Sequence, residues 1–191
     1  MSQIQKYINS GNNFINKGQS ERARECFEKA LELLPDNAEA LDGLAWTYYI
    51  EGNNSKAKTL LEKSIKIDPN FAEAYTDLGC VMHELGEVDE AERLHIWCLK
   101  LDSERSDAVF NLAMLYYSTG RLDKAESFLE ESEKILNSSP DLLLILGEIK
   151  LEKKEFSRAA DAFRKCLELD PHNVEAGIFL TQAEIELDEI L

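Results

Sequence analysis

The sequence predicts an all-α solenoid of five helical hairpins followed by a C-terminal capping helix, and three observations predict it. Small residues recur every 34 positions, at Gly11, Ala45, Gly79, Ala113 and Gly147, and alanine recurs at the same interval at Ala23, Ala57, Ala91, Ala125 and Ala159. Between these marks the apolar residues fall at helical spacing. Glycines then divide each block in two (Gly18, Gly52, Gly86, Gly120), and prolines close several of them (Pro35, Pro69, Pro171). The period sets repeats at 4–37, 38–71, 72–105, 106–139 and 140–173, with 174–191 as the cap, in one domain spanning 1–191.

In the first repeat Tyr7, Gly11 and Phe14 share one helical face, Gly18 interrupts, and Ala23, Phe27, Ala30 and Leu31 mark a second amphipathic helix that stops before Pro35. Asn37, Ser139 and Asn173 stand where the following helix needs an N-cap. The second repeat follows the same plan, with Leu44, Tyr48 and Leu61 around its small residues. The third departs from it in two places. His95 replaces the large apolar residue found at Phe27, Leu61, Leu129 and Phe163, and Ser103 stands for the closing proline. The fourth carries Asn137 at the proline place, with Pro140 three residues later. The fifth has Lys154 for the turn glycine and Lys150 where the others have an aromatic or methionine, so its first helix is expected to end less sharply. Beyond it, Ile178, Leu180 and Ile185 are expected to cover the last hairpin while Glu184, Glu186, Asp188 and Glu189 face water.

This pattern resembles the tetratricopeptide repeat, a 34-residue helix-turn-helix unit with small residues where its helices touch and large ones around them. The resemblance covers about nine-tenths of the chain, with five copies in phase. It implies a right-handed α-solenoid whose concave face is lined by the first helix of each hairpin.

Composition narrows the partners. With Lys+Arg 21 against Asp+Glu 37, the formal net charge is -16, a field that repels nucleic acid and anionic membrane surfaces. At 44% hydrophobic residues, the acidity belongs to the surface of a folded protein. Cys26, Cys80, Cys98 and Cys166 lie far apart without a C-x-x-C pair and are expected as reduced thiols. No signal-like or membrane-spanning apolar run occurs, so the chain is expected in the cytoplasm.

Helical geometry places residues 2, 5, 6, 9, 12 and 13 of each repeat opposite the packed stripe. These places hold no lysine or arginine; the basic residues sit largely on second helices, as at Arg22, Arg24, Lys56, Lys58, Lys63 and Lys66. The family resemblance raises two precedents. Co-chaperones of this family grip a C-terminal carboxylate with lysines and asparagines, but here Ile8, Asn12, Glu73 and Asp77 stand at the clamp places and would repel it. The asparagine ladder of O-linked N-acetylglucosamine transferase is partly matched by Asn9, Asp77 and Asn111 and broken by Gly43 and Ile145. What is left is a groove predicted to expose Trp46, Tyr49, Phe110, Asn111, Met114, Tyr117, Ile145 and Phe179 beside Asp42 and Asp77. Aromatics and methionine inside a charged rim are what binding surfaces use. The expected role is a non-catalytic scaffold or adaptor for a protein or peptide bearing apolar and basic residues. The alternative is a self-assembling protein in which a terminal helix of a neighbouring copy fills the groove.

No phosphate-binding glycine loop, zinc-helix motif or nucleophile elbow occurs, and no cofactor is predicted. Cys80-x-x-His83 and His95-x-x-Cys98 have the residue types of a zinc site. Their helical phases argue against one, since the first pair should face the groove and the second occupies packing places.

Overall fold

The computed structural model describes residues 1–189, among which twelve helices and no strand occur. The chain divides into two compact units, Met1–Ser103 and Glu104–Leu191, and the division falls beside the Ser103 that replaces a closing proline. In the first unit α1 (Gln3–Asn16) pairs with α2 (Ser20–Leu33), α3 (Ala38–Ile50) with α4 (Asn54–Ile67), and α5 (Ala72–Glu84) with α6 (Val88–Leu101). There α2 rests on α3 and α4 on α5, and α1, α3 and α5 lie side by side. In the second unit α7 (Ser106–Ser118) pairs with α8 (Leu122–Glu131), which a short α9 (Glu133–Leu136) follows, and α10 (Pro140–Glu152) pairs with α11 (Phe156–Leu169). There α12 (Val174–Asp188) packs on α11 and α10, and α7, α10 and α12 are neighbours in that order.

The 34-residue spacing of small residues has a direct steric cause. Phe27, fully buried on α2, presses its ring against two glycines: a Cβ on Gly11 of α1 would lie 2.6 Å from Cζ, and one on Gly43 of α3 2.3 Å from Cε1. One side chain thus sets both the contact within its repeat and the contact with the next. His95 takes the same seat against Gly79, and Phe163 against Gly147. The histidine is therefore a packing residue.

Asn37, Ser139 and Asn173 cap α3, α10 and α12 as predicted, accepting bonds from the backbone N–H of Ala40, Leu142 and Ala176 at 2.7, 3.4 and 2.9 Å. The first helices end in paired bonds around a left-handed residue. After α1, Gly18 N–H donates to Ile15 O at 2.8 Å and Gln19 N–H to Phe14 O at 2.9 Å.

Three expectations are corrected here. The first concerns the end of α10, where Lys154 adopts φ 60 and the bonds Lys154 N to Leu151 O (3.0 Å) and Glu155 N to Lys150 O (2.8 Å) repeat the α1 closure. The helix stops as sharply as the others; the closing bonds hold Lys154 in the left-handed turn that glycine would take without strain. The second is the fourth repeat's second helix, which breaks at Ser132. Its N–H is shared between Phe128 O and Leu129 O at 3.1 Å each, and its hydroxyl donates to Phe128 O at 2.9 Å, tightening that turn. The third is the cap: α12 covers its neighbours with Ala176, Phe179, Leu180 and Ala183, and leaves Ile178 and Ile185 in solvent. Residues 190 and 191 of the predicted cap lie outside the described residues. Among the described residues no helix is long and apolar enough to cross a membrane.

Candidate functional site

The predicted site residues fall into two sets, one on each unit. On the first unit, Trp46 and Tyr49 lie one turn apart on α3 with ring centroids 4.9 Å apart, both half-buried. Burial pushes the Tyr49 phenol up, and Cys80, Glu84 and Asp77 of α5 add to the effect, so α5 brings a carboxylate and a thiol beside the α3 rings. Across the neighbouring pair, Gln5 Nε2 of α1 donates to both oxygens of Glu39 on α3 at 3.3 Å. The predicted Asp42 does not line this face. It is 6% exposed, because on the first unit the fifth place turns toward the adjacent hairpin, as the fully buried Ile8 does on α1 and the 2% exposed Thr76 does on α5, whereas Phe110 at that place on α7 stays half-buried.

On the second unit, Phe110, Asn111, Met114 and Tyr117 are half-buried along one side of α7. The Tyr117 hydroxyl donates to Glu152 Oε1 of α10 at 2.9 Å. Burial pushes the Tyr117 phenol up, and the bond to Glu152 pushes it further. Burial also raises the Glu148 carboxyl, outweighing the opposing bond from Tyr117, and the like charges of Glu175 and Glu152 add to the rise. The predicted Ile145 is absent from the exposed set. At 4% exposure it is core, since the sixth place meets the preceding hairpin, where Gly43 meets Phe27. Phe179 occupies the sixth place of α12 and is half-buried for the same reason, its ring 5.7 Å from that of Phe163. Helical phase alone assigned these places to the open side because it treats a helix as having one packed stripe, whereas each first helix here is packed from two directions.

The charge asymmetry predicted from the sequence has a physical counterpart. The helices α3, α5, α7 and α12 contain no lysine or arginine. The one cation of α10, Lys150, is 3% exposed and ion-paired with Glu126, with Glu130 at 3.3 Å and with Glu155 at 3.4 Å. It fills the place held elsewhere by rings that lie under cations: Arg22 over Phe14 at 4.2 Å, Lys56 over Tyr48 at 4.8 Å, Arg121 over Tyr116 at 4.9 Å. The last hairpin swaps the ring for a cation and supplies carboxylates against it. Burial opposes the charge on Lys150, yet Glu126 and Glu130 hold its pKa above the usual lysine value; burial likewise opposes ionisation of Glu126, which Lys150 and Lys153 outweigh, lowering its pKa. This cluster was not foreseen as a unit, although the lysine at an aromatic place was its signal.

The zinc-like residues do not converge on a site. His95 and Cys98 are buried in α6, where Cys98 Sγ accepts a bond from Thr76 Oγ1 at 2.9 Å, while Cys80 is half-buried and His83 exposed on α5. Among the described residues no group of His, Cys, Asp and Glu side chains is placed to hold a metal ion. All four cysteines are free thiols.

No curated protein matches the chain. Solved structures do match along most of its length. A thermophilic tetratricopeptide repeat protein from Thermus thermophilus superposes with TM-score 0.78 at 21% identity, covering 95% of this chain and 99% of its own. PilF of Pseudomonas aeruginosa gives TM-score 0.83 at 22% identity, covering 97% and 86%. MamA gives 0.70 at 28% identity, covering 84% and 94%. YrrB, a tetratricopeptide repeat protein described as having an unusual peptide-binding site, gives 0.64 at 24% identity, covering 89% and 88%. Proteins with this repeat are generally non-catalytic scaffolds that bind peptides or proteins. Family models described as tetratricopeptide repeat match residues 2–70, 60–93, 106–135 and 140–173, and with the small-against-large packing above they show that the chain belongs to the tetratricopeptide repeat family.

Proposed function

We propose that this protein is an interaction scaffold whose first-helix faces take an amphipathic helix or extended segment carrying apolar anchors flanked by lysine or arginine. The observation that carries the reading is the pairing of half-buried rings with carboxylates on α3, α5, α7 and α10, helices that expose no lysine or arginine of their own. Tyr49, its ring 4.9 Å from that of Trp46, is within the field of Asp77 on the first unit, and Tyr117, on the α7 side that carries Phe110, Asn111 and Met114, meets Glu148 and Glu152 on the second. Rings and methionine supply contact area at low entropic cost, and the acids select the sign of the partner. The peptide-binding site of YrrB supports the same mode of action. The C-terminal carboxylate of a chaperone is disfavoured as a ligand, since Glu73 and Asp77 stand where a carboxylate clamp needs cations. A second copy as the occupant is disfavoured by the net charge of -16, which each molecule would bring to the other.

The test compares two synthetic helical peptides that share their leucines, one flanked by lysine and one by glutamate, titrated against the full chain. The lysine peptide is expected to bind and to weaken with added salt. Trp46→Ala with Tyr117→Ala is expected to cost about tenfold in affinity or more while the thermal transition stays in place. Equal binding of both peptides, or undiminished binding by the double variant, overturns the reading.

A further inference from the structure

We propose a second docking surface, the outer edge of α12, for a partner helix whose apolar stripe is bordered by lysine or arginine. On this helix Val174, Ile178 and Ile185 are 75%, 61% and 56% exposed. At about 100° per residue they fall with Thr181 in one narrow strip, diametrically opposite the face formed by Ala176, Phe179, Leu180 and Ala183 that packs inward. The helix is thus apolar on two sides, and one side is covered.

The chain shows what such a strip is built to receive. Ile178 occupies the fifth place of its repeat, the place of Ile8 on α1. Ile8 is fully buried in a cluster with Ala40 and Leu44 of the next first helix, α3; Ile178 has no such helix against it among the described residues. The fifth place is buried at Ile8 and Asp42 and half-buried at Phe110 and Leu144, where a further helix follows in the same unit, and it is 61% exposed at Ile178, so a helix is the complementary shape. Charge selects which helix. Glu175, Glu186 and Glu189 border the strip on one side, Glu184 and Asp188 on the other, and α12 contributes no lysine or arginine. Arg164 of α11 reaches this helix and is paired with Glu184 at 2.8 Å. A second copy is the poorer occupant. Antiparallel pairing of two α12 strips would set Val174 against Ile185 and bring Glu175 onto the same border as Glu186 of the other copy, adding like charges beside each apolar contact. A helix with basic flanks meets the same strip with opposite charge on both borders.

The experiment uses the full chain and the lysine-flanked leucine peptide carrying a photoreactive leucine analogue. Irradiation is expected to crosslink the peptide to the α12 segment. Ile178→Asp is expected to abolish that crosslink and leave the melting temperature unchanged, because the side chain already faces solvent. The α12 crosslink is expected to persist in the Trp46→Ala, Tyr117→Ala variant, which separates this surface from the first-helix faces. Three results overturn the proposal: crosslinks confined to α3 and α7, an α12 crosslink indifferent to Ile178→Asp or to exchange of the lysine flanks for glutamate, or an Ile178-dependent rise in mass of the protein alone with concentration, which would give the strip to a second copy.

Discussion

Two single residues affect the second unit's stability more than their types imply. Lys154 holds φ 60, a conformation that costs an L residue with a Cβ roughly 1–2 kcal/mol relative to its preferred regions, and its side chain is exposed. Lys154→Gly keeps both closing bonds and is expected to stabilise the protein by about 1 kcal/mol, read as a rise in the denaturation midpoint. Lys150 is the opposite case. Its charge is desolvated and paired, so Lys150→Ala leaves Glu126 without its deepest partner and is expected to cost about 3 kcal/mol, whereas Lys150→Met with Glu126→Leu is expected to recover most of that loss. The pH dependence has a definite sign. Glu126 has its pKa lowered by folding, so its contribution is present above the ordinary carboxylate pKa and is lost as pH falls through the lowered value; Lys150 has its pKa raised, so its share holds below the ordinary lysine pKa and is lost as pH rises through the raised one. Acid titration of wild type against the Met/Leu pair checks this: the double variant is expected to lose less stability on the acid side.

At the scale of the helix, the hairpins are keyed by a large side chain against a small one. Phe27, His95 and Phe163 sit in one structural seat, which explains why an imidazole replaces a ring without disturbing α5 and α6. The close approach is steric, so it gives a prediction independent of any ligand. A Cβ at Gly147 would come within 2.3 Å of Phe163 Cε1, and Gly147→Ala is expected to destabilise by roughly 1–3 kcal/mol despite alanine's better helix propensity. Equilibrium unfolding in denaturant measures it, and a neutral or stabilising result would show that the α10 and α11 backbones part without cost. Helix ends follow simpler rules. Asn37, Ser139 and Asn173 were legible as caps from residue type alone, because capping is a bond between a side chain and a backbone N–H three positions on. The break at Ser132 was not, since a serine inside a helical run marks a break only where its hydroxyl bonds back to the preceding turn, as it does here to Phe128 O, and residue type alone does not say which serine will.

Across the molecule, periodicity, helix pairing, the turn residues and the segregation of lysine and arginine away from α3, α5, α7 and α12 were all readable from the chain. These are properties of residue type at fixed spacing, and a repeat read several times over averages out local ambiguity. Burial at the candidate site was a different matter. Asp42 and Ile145 shared the helical phase of Trp46 or Asn111 and were expected in solvent, but α3 lies between α1 and α5 and α10 between α7 and α12, which buries Asp42 at a fifth place and Ile145 at a sixth. The same geometry, with no described hairpin beyond α12, turns Ile178 outward. Sequence fixes which side chains a helix carries and in what angular order; which of those angles meets another helix depends on neighbours tens of residues away, and only the packed chain decides it.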